Sequence, residues 1–364
     1  MTVGDRPHEE YRSLLGAWAL EACPRREAAE VGRHLAGCPE CAEEAARLRE
    51  AAGRLAAEDP LEPSETLRQQ VLDWCLARRA PELPVPAWAA PYAAETAKLD
   101  ALLRDLGPQE WQEVAELPWH GGVERWRPAE VLAHLTAVDG YLAPALGLPD
   151  PVPRAEPPRV PAQRSPAAAV LERTERLLAA RPAREAVAVR ARWREQGHAL
   201  VRAAALRPRG SAAVDFGFAR LPLRDAFVDR AFETWVHGED VARAVDYPYP
   251  PPLARHLRLM VDLAARMLPL ALAAANPSDG PPQDGRPGRV VRLVIDGPAA
   301  GEWLVPLDGT VPEGPPVAEL VLDGLEFCSL AAAHRSPERI PAGQHGDRGA
   351  IAELLRAAPL LSRP

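Results

Sequence analysis

Among the 43 cationic residues of this 364-residue chain only one is lysine, Lys98, which leaves 42 arginines. Cations are also the minority sign, 43 against 51 Asp+Glu, for a formal net charge of −8 and a pI near 5.7. Direct DNA or RNA binding leaves a basic footprint that an acidic chain lacks, so nucleic acid is excluded as a direct partner. Long apolar runs are missing too. The best stretch, 257–275, is broken by Arg258, Asp262 and Arg266. It falls short of the roughly 18 uninterrupted apolar residues a spanning helix needs, and reads as a buried bundle helix. The opening residues MTVGDRPHEE show no basic-then-apolar leader pattern. The expected setting is therefore cytoplasmic, with no membrane partner. Five cysteines are too few and too unevenly placed for a disulfide scaffold. The 41 prolines follow no Gly-X-Y period, which excludes a collagen-like chain.

The chain is instead well punctuated. Residues 1–80 alternate short helical runs with polar turns, and a proline-rich linker follows at 81–94. A long helical region occupies 95–278, with a proline-laden surface connection at 147–166. DGPPQDGRPG (279–288) forms a second linker. Beyond it, RVVRLVID (289–296) and VAELVLD (317–323) have the β-branched content of strands, and helical patterns recur at 324–335 and 347–357. The expected fold class is multidomain and mainly α: a small helical domain, a helical bundle, and a small C-terminal α/β domain over 289–364.

The first candidate site lies in GRHLAGCPECAEEAARL, which has the spacing H-x3-C-x2-C. His34 and Cys38 share one helical face, and Pro39 is expected to end regular helix and let the Cys38 and Cys41 sulfurs converge. Such ligands suit Zn²⁺, which takes four in a closed site. His8, 26 residues before His34 at the head of HEEYRSLLGAWALEA, is the candidate fourth. The plainer alternative is a helix pair with two cysteines as small core residues. Another keeps the zinc but gives it a purely structural role. Cys23 and Cys75 are lone cysteines on apolar stretches, expected to be buried. Together with SETLRQQVLDWCLARRA (64–80), these segments resemble the zinc-binding anti-sigma domain of bacterial regulators. The resemblance implies a sigma factor as partner, clamped in part by the 64–80 helix. Redox-sensing members carry cysteine at the position of His8, so histidine here argues against their thiol–disulfide switch.

The second candidate site joins ERWRPAEVLAHLTAVDGYL (124–142) to LRDAFVDRAFETWVHGEDVARAV (223–245). Pro128 fits an early helical position, His134 follows on that helix, and Glu233 and His237 are four apart on one face of another. Two histidines and a carboxylate hold a divalent metal with one position open for a reacting group. Taken singly, each is an ordinary residue of a half-buried helix. WRPAEVLAHLTAVD and FETWVHGEDVARAV resemble the metal-binding domain of mycothiol-dependent maleylpyruvate isomerases, a branch of the DinB-like four-helix bundles. LVLDGLEFCSLAAAHRSP resembles their C-terminal α/β domain. The resemblance implies His134, Glu233 and His237 as ligands of zinc or another divalent metal, with the thiol of mycothiol as the metal-activated nucleophile. Asp240 is expected to orient the His237 imidazole, with an intrahelical pair to Arg243 as the alternative. His120 is placed near a pocket mouth, His198 facing solvent, and His334, Arg335 and His345 in the tail.

Three functional readings follow. The first is a cytoplasmic regulator that joins an anti-sigma zinc domain to a metal domain sensing or processing a small thiol-linked ligand, with two zinc-class ions per chain. The second is a mycothiol-dependent metalloenzyme, an isomerase or thiol transferase, whose zinc domain serves assembly. The third is an interaction scaffold with two structural metals. The arginine-for-lysine bias matches a GC-rich genome, where mycothiol-using actinobacteria belong.

Overall fold

A computed structural model describes residues 7–55, 65–78, 84–153, 165–183, 185–207, 209–217, 219–275, 288–308 and 314–362. Most of the expected second linker (279–287) and of the proline-laden connection (154–164) lies outside the described residues. The chain forms two compact units, Met1–Glu82 and Leu83–Pro364.

The first unit carries α1 (His8–Ala19), α2 (Arg25–Gly37), α3 (Pro39–Leu55) and α4 (Glu65–Arg78). Pro39 opens α3 instead of merely ending α2, because the first helical position needs no N–H. Cys38 is the extended joint between the two helices. The core is small: Tyr11, Leu15, Val31, Cys41 and Ala45. Contrary to expectation, Cys75 is exposed and Cys23 only half-buried. The α4 residues around Cys75 explain its exposure, since Leu67, Val71, Leu72 and Trp74 are themselves exposed.

The second unit begins with α5 (Ala90–Asp105), which starts inside the expected 81–94 linker with Pro91 in its first turn. Next come the hairpin β1 (Ala115–Trp119) and β2 (Gly122–Trp126), then α6 (Pro128–Asp139), α7 (Ala143–Leu146), α8 (Pro166–Ala180) and α9 (Ala186–Ala205). A short hairpin, β3 (Ala213–Asp215) and β4 (Arg220–Pro222), leads into α10 (Leu223–Ala244) and α11 (Ala254–Ala275). Helices α5, α6, α9 and α10 form the DinB-like bundle, with α8 laid against α6. Lys98 of α5 pairs with Glu95 at 2.6 Å and donates to the Pro250 carbonyl at 2.8 Å, tying α5 to the loop before α11.

The tail contains β5 (Val290–Asp296), β6 (Gly301–Pro306), β7 (Ala318–Asp323), α12 (Gly324–Ala331), β8 (Gly343–Gly346) and α13 (Arg348–Ala357). The sheet order is β6-β5-β7-β8, with β5 and β7 parallel and the outer pairs antiparallel. The central strands β5 and β7 bury Val291, Leu293, Ile295 and Ala318, Leu320, Leu322 on one face, where the sequence shows their β-branched content. Of the edge strands, β8 is exposed throughout and β6 buries only Val305. Helix α12 stops at Ala331, short of the expected 335, in a turn with Ala333 at φ 60°. One core runs through α10, α11 and the tail, including Phe227, Trp235, Met260, Leu268, Leu320, Phe327 and Ile351. The bundle and the α/β segment therefore pack as one body. No described helix is long and apolar enough to cross a membrane.

Candidate metal centres

In the first unit the start of α1, the end of α2 and the start of α3 meet. They bring together His8, His34, Cys38 and Cys41, with one donor atom from each lying within 4.8 Å of the others. His8 Nδ1 is 3.7 Å from Cys38 Sγ and 3.9 Å from Cys41 Sγ. A tetrahedral ion bonded at about 2.0–2.3 Å sets donor–donor edges of roughly 3.3–3.8 Å, so these spacings suit one zinc. Tyr11 stacks on the His34 ring with centroids 4.3 Å apart, and His34 Nε2 is buried without a hydrogen-bond partner. Burial, with the Cys38 thiol beside it, raises the pKa of Cys41. A bound cation reverses that bias by favouring the thiolate.

In the bundle α6 supplies His134 and α10 supplies Glu233 and His237, all buried, with donor atoms again within 4.8 Å of one another. The His134 and His237 rings meet edge-on with centroids 5.2 Å apart, and Trp126 of β2 lies 5.0 Å from His134. His134 Nδ1 is 2.9 Å from Thr174 Oγ1, leaving a buried Nε2 with no partner. His237 Nε2 is 3.4 Å from Glu233 Oε2, close to a tetrahedral edge. Burial, then the cationic character of His237, push the His134 pKa well down, which keeps it a neutral ligand. For His237, burial lowers the pKa, but the Asp240 and Glu233 carboxylates facing its two nitrogens at 3.5 and 3.4 Å carry it up to about 9. Without a metal, a proton on His237 answers the buried carboxylates.

Burying so many charges on one helix is costly unless they are paired. Arg230 meets Asp229 at 2.6 Å and Glu233 Oε1 at 3.7 Å, so Glu233 keeps its other oxygen toward His237. Asp240 faces His237 Nδ1 at 3.5 Å and also pairs with Arg243 at 3.0 Å, so both expected partners are present. A third partner is His334 of the tail, 2.7 Å away. Thr174, Trp126, Arg230 and His334 were not read from sequence as part of the site. Arg230, three residues before Glu233 on the same helix face, is the one that helical spacing alone could have flagged.

The other histidines have different surroundings. The His120 backbone N–H donates to Ser362 Oγ at 2.8 Å and its ring lies 2.9 Å from the Ser362 carbonyl, so it anchors the chain's last described residue. His198 is exposed beside Arg194, and His345 is exposed on β8. Arg335 pairs with Glu326 at 3.2 Å. A cavity of about 30 Å³ adjoins Glu233 and is lined also by Asp229, Phe232, Met260 and Leu361. A larger cleft of about 320 Å³ between α6, α8 and α9 contains none of the clustered donors.

Residues 92–242 match the family model of the mycothiol maleylpyruvate isomerase N-terminal domain, and residues 9–42 match that of a zinc-finger. The chain is a fusion of an anti-sigma-type zinc-finger with a domain of the mycothiol maleylpyruvate isomerase family. The isomerase-family stretch contains His134, Glu233, His237 and Asp240; the zinc-finger stretch contains His34, Cys38 and Cys41 and begins one residue after His8. Crystal structures of a mycothiol-dependent maleylpyruvate isomerase and of a point mutant of it are similar at 16% and 15% identity. Each alignment covers 70% of this chain and 91% of that one, with a TM-score of 0.42. No curated protein matches the chain.

Proposed function

We propose that the chain is a two-metal regulator, in which the zinc-finger unit holds a sigma factor and the isomerase-family bundle binds mycothiol or a mycothiol adduct. The observation that carries this reading is the contrast between the two donor sets. His8, His34, Cys38 and Cys41 are four donors and fill a tetrahedron, whereas His134, Glu233 and His237 are three and leave a position open. A filled site contributes folding free energy and leaves the work to the surrounding surface. That surface includes α4, where Leu67, Val71, Leu72 and Trp74 are exposed to a protein partner.

The open site is suited to a small ligand. A divalent ion there lowers the pKa of a coordinated thiol and so favours the thiolate at neutral pH. The chain's own residues prepare the place: Thr174 fixes the His134 tautomer, Arg230 occupies one Glu233 oxygen, and Asp240 faces the far side of His237. The same open position, lying within the stretch that matches the isomerase-family domain, favours a second reading, a mycothiol-dependent isomerase or transferase with the zinc unit serving assembly.

The test is capture of sigma factors from the source genome by the zinc-loaded chain. Capture of one sigma factor, released by a chelator, is the expected result. Failure to bind any of them overturns the regulator. Turnover of maleylpyruvate with mycothiol that vanishes in Glu233→Ala would then establish the enzyme.

A further inference from the structure

We propose that His334, supplied by the tail beyond the matched isomerase-family stretch, is a positioning residue of the bundle's metal centre, holding Asp240 so that Asp240 holds His237. The proposal rests on the reading of His134, Glu233 and His237 as metal ligands and adds a partner that the family match does not cover.

The geometry divides the two Asp240 oxygens. Oδ1 accepts from His334 Nε2 at 2.7 Å and from Arg243 Nη1 at 3.0 Å. Oδ2 is buried, has no hydrogen-bond partner, and faces His237 Nδ1, likewise without one, at 3.5 Å. A ligating histidine commonly gives its second ring N–H to a carboxylate, which fixes ring orientation and raises ligand basicity. A carboxylate can do this only if its own rotation is stopped, and Oδ1 is where that happens.

Of the two donors to Oδ1, His334 is the better placed. The Arg243 side chain is 56% exposed, whereas His334 is 10% and Asp240 0% exposed. Exposed pairs are weakened by solvent, while a hydrogen bond in a desolvated pocket keeps its strength. His334 Nδ1 lies 2.9 Å from the Ala332 carbonyl, in the turn where Ala333 takes φ 60°. The sequence of contacts runs from the tail backbone through His334 and Asp240 to the ligand.

Cobalt(II) titration of the full chain tests this, because only the cysteine site gives a sulfur-to-cobalt charge-transfer band. The wild type is expected to take one cobalt at each site. His334→Leu should weaken the bundle site about tenfold, the lower end for the loss of such a partner, and leave the cysteine site unchanged. His334→Gln, whose amide can still donate to Oδ1, should recover most of that affinity. Asp240→Asn should lose at least as much, and adding His334→Leu to it should cost little more. Equal affinity in wild type and His334→Leu overturns the proposal. So does an equal loss in the Leu and Gln variants, which would assign the effect to packing. A wild type that takes no cobalt in the bundle overturns instead the metal reading beneath it.

Discussion

Thr174 Oγ1 lies 2.9 Å from His134 Nδ1 and 3.1 Å from the Val170 carbonyl. A hydroxyl has one proton, and the carbonyl can only accept. That proton therefore goes to Val170, and Thr174 accepts from Nδ1–H, which turns the Nε2 lone pair toward Glu233 and His237. Thr174→Val keeps the shape and removes the acceptor. It should cost about 1–3 kcal/mol for the stranded N–H and weaken metal binding in the bundle by roughly tenfold. Thermal melting and metal titration read the two effects separately, and unchanged values in both would contradict the assigned tautomer.

Glu233→Ala and His237→Ala should each remove one metal equivalent and leave the zinc-finger ion in place. Elemental analysis of the purified proteins gives the count. The same content as wild type would show that these two side chains hold no metal.

Chelation should unfold α1 to α3 while the second unit keeps its helices. A core of Tyr11, Leu15, Val31, Cys41 and Ala45 is too small to hold three helices alone. Circular dichroism should show a partial loss of helix, with Cys38→Ser reproducing it. A chelated protein with its full helical signal would mean the metal is dispensable to this fold.

Asp139 carries a pH dependence of its own. Burial drives its carboxyl from 3.8 up to about 7, against the opposing pull of Arg230 and the Tyr92 hydroxyl at 2.6 Å. The folded value lies above the unfolded one. The stabilising contribution is therefore full below the unfolded value and is lost as pH rises through the folded one. Relative to Asp139→Asn, the wild type should lose melting temperature between about pH 4 and about pH 7. Parallel melting curves for the two proteins across that range would refute the shift.

Much of the site was legible because its residues are local in sequence. Glu233, His237 and Asp240 share a helical face, and His34, Cys38 and Cys41 follow a ligand spacing. The central strands β5 and β7 announce themselves by their β-branched content. Legibility ends where pairing is tertiary. Thr174 meets His134 across 40 residues and His334 meets Asp240 across 94. No periodicity encodes either distance. The edge strands β6 and β8 bury too little for an alternating pattern. Pro39 follows the end of α2 as its sequence implies, but it and Pro91 also occupy first-turn positions of the next helix, where proline is accepted.

Helix α11 packs against α10 on one side and against α12, α13 and β6 on another. The matched isomerase-family stretch ends at residue 242, before α11 begins. A fragment cut at that boundary would keep all three bundle donors but lose the wall they are built against. It would also lose the His334 and Ser362 anchors on Asp240 and His120. The length of chain that is recognisable by likeness is thus shorter than the length that must melt together. A minimal expressible form of this metal centre extends from Pro86, whose carbonyl caps the start of α5 ahead of buried Ala89, through Ser362.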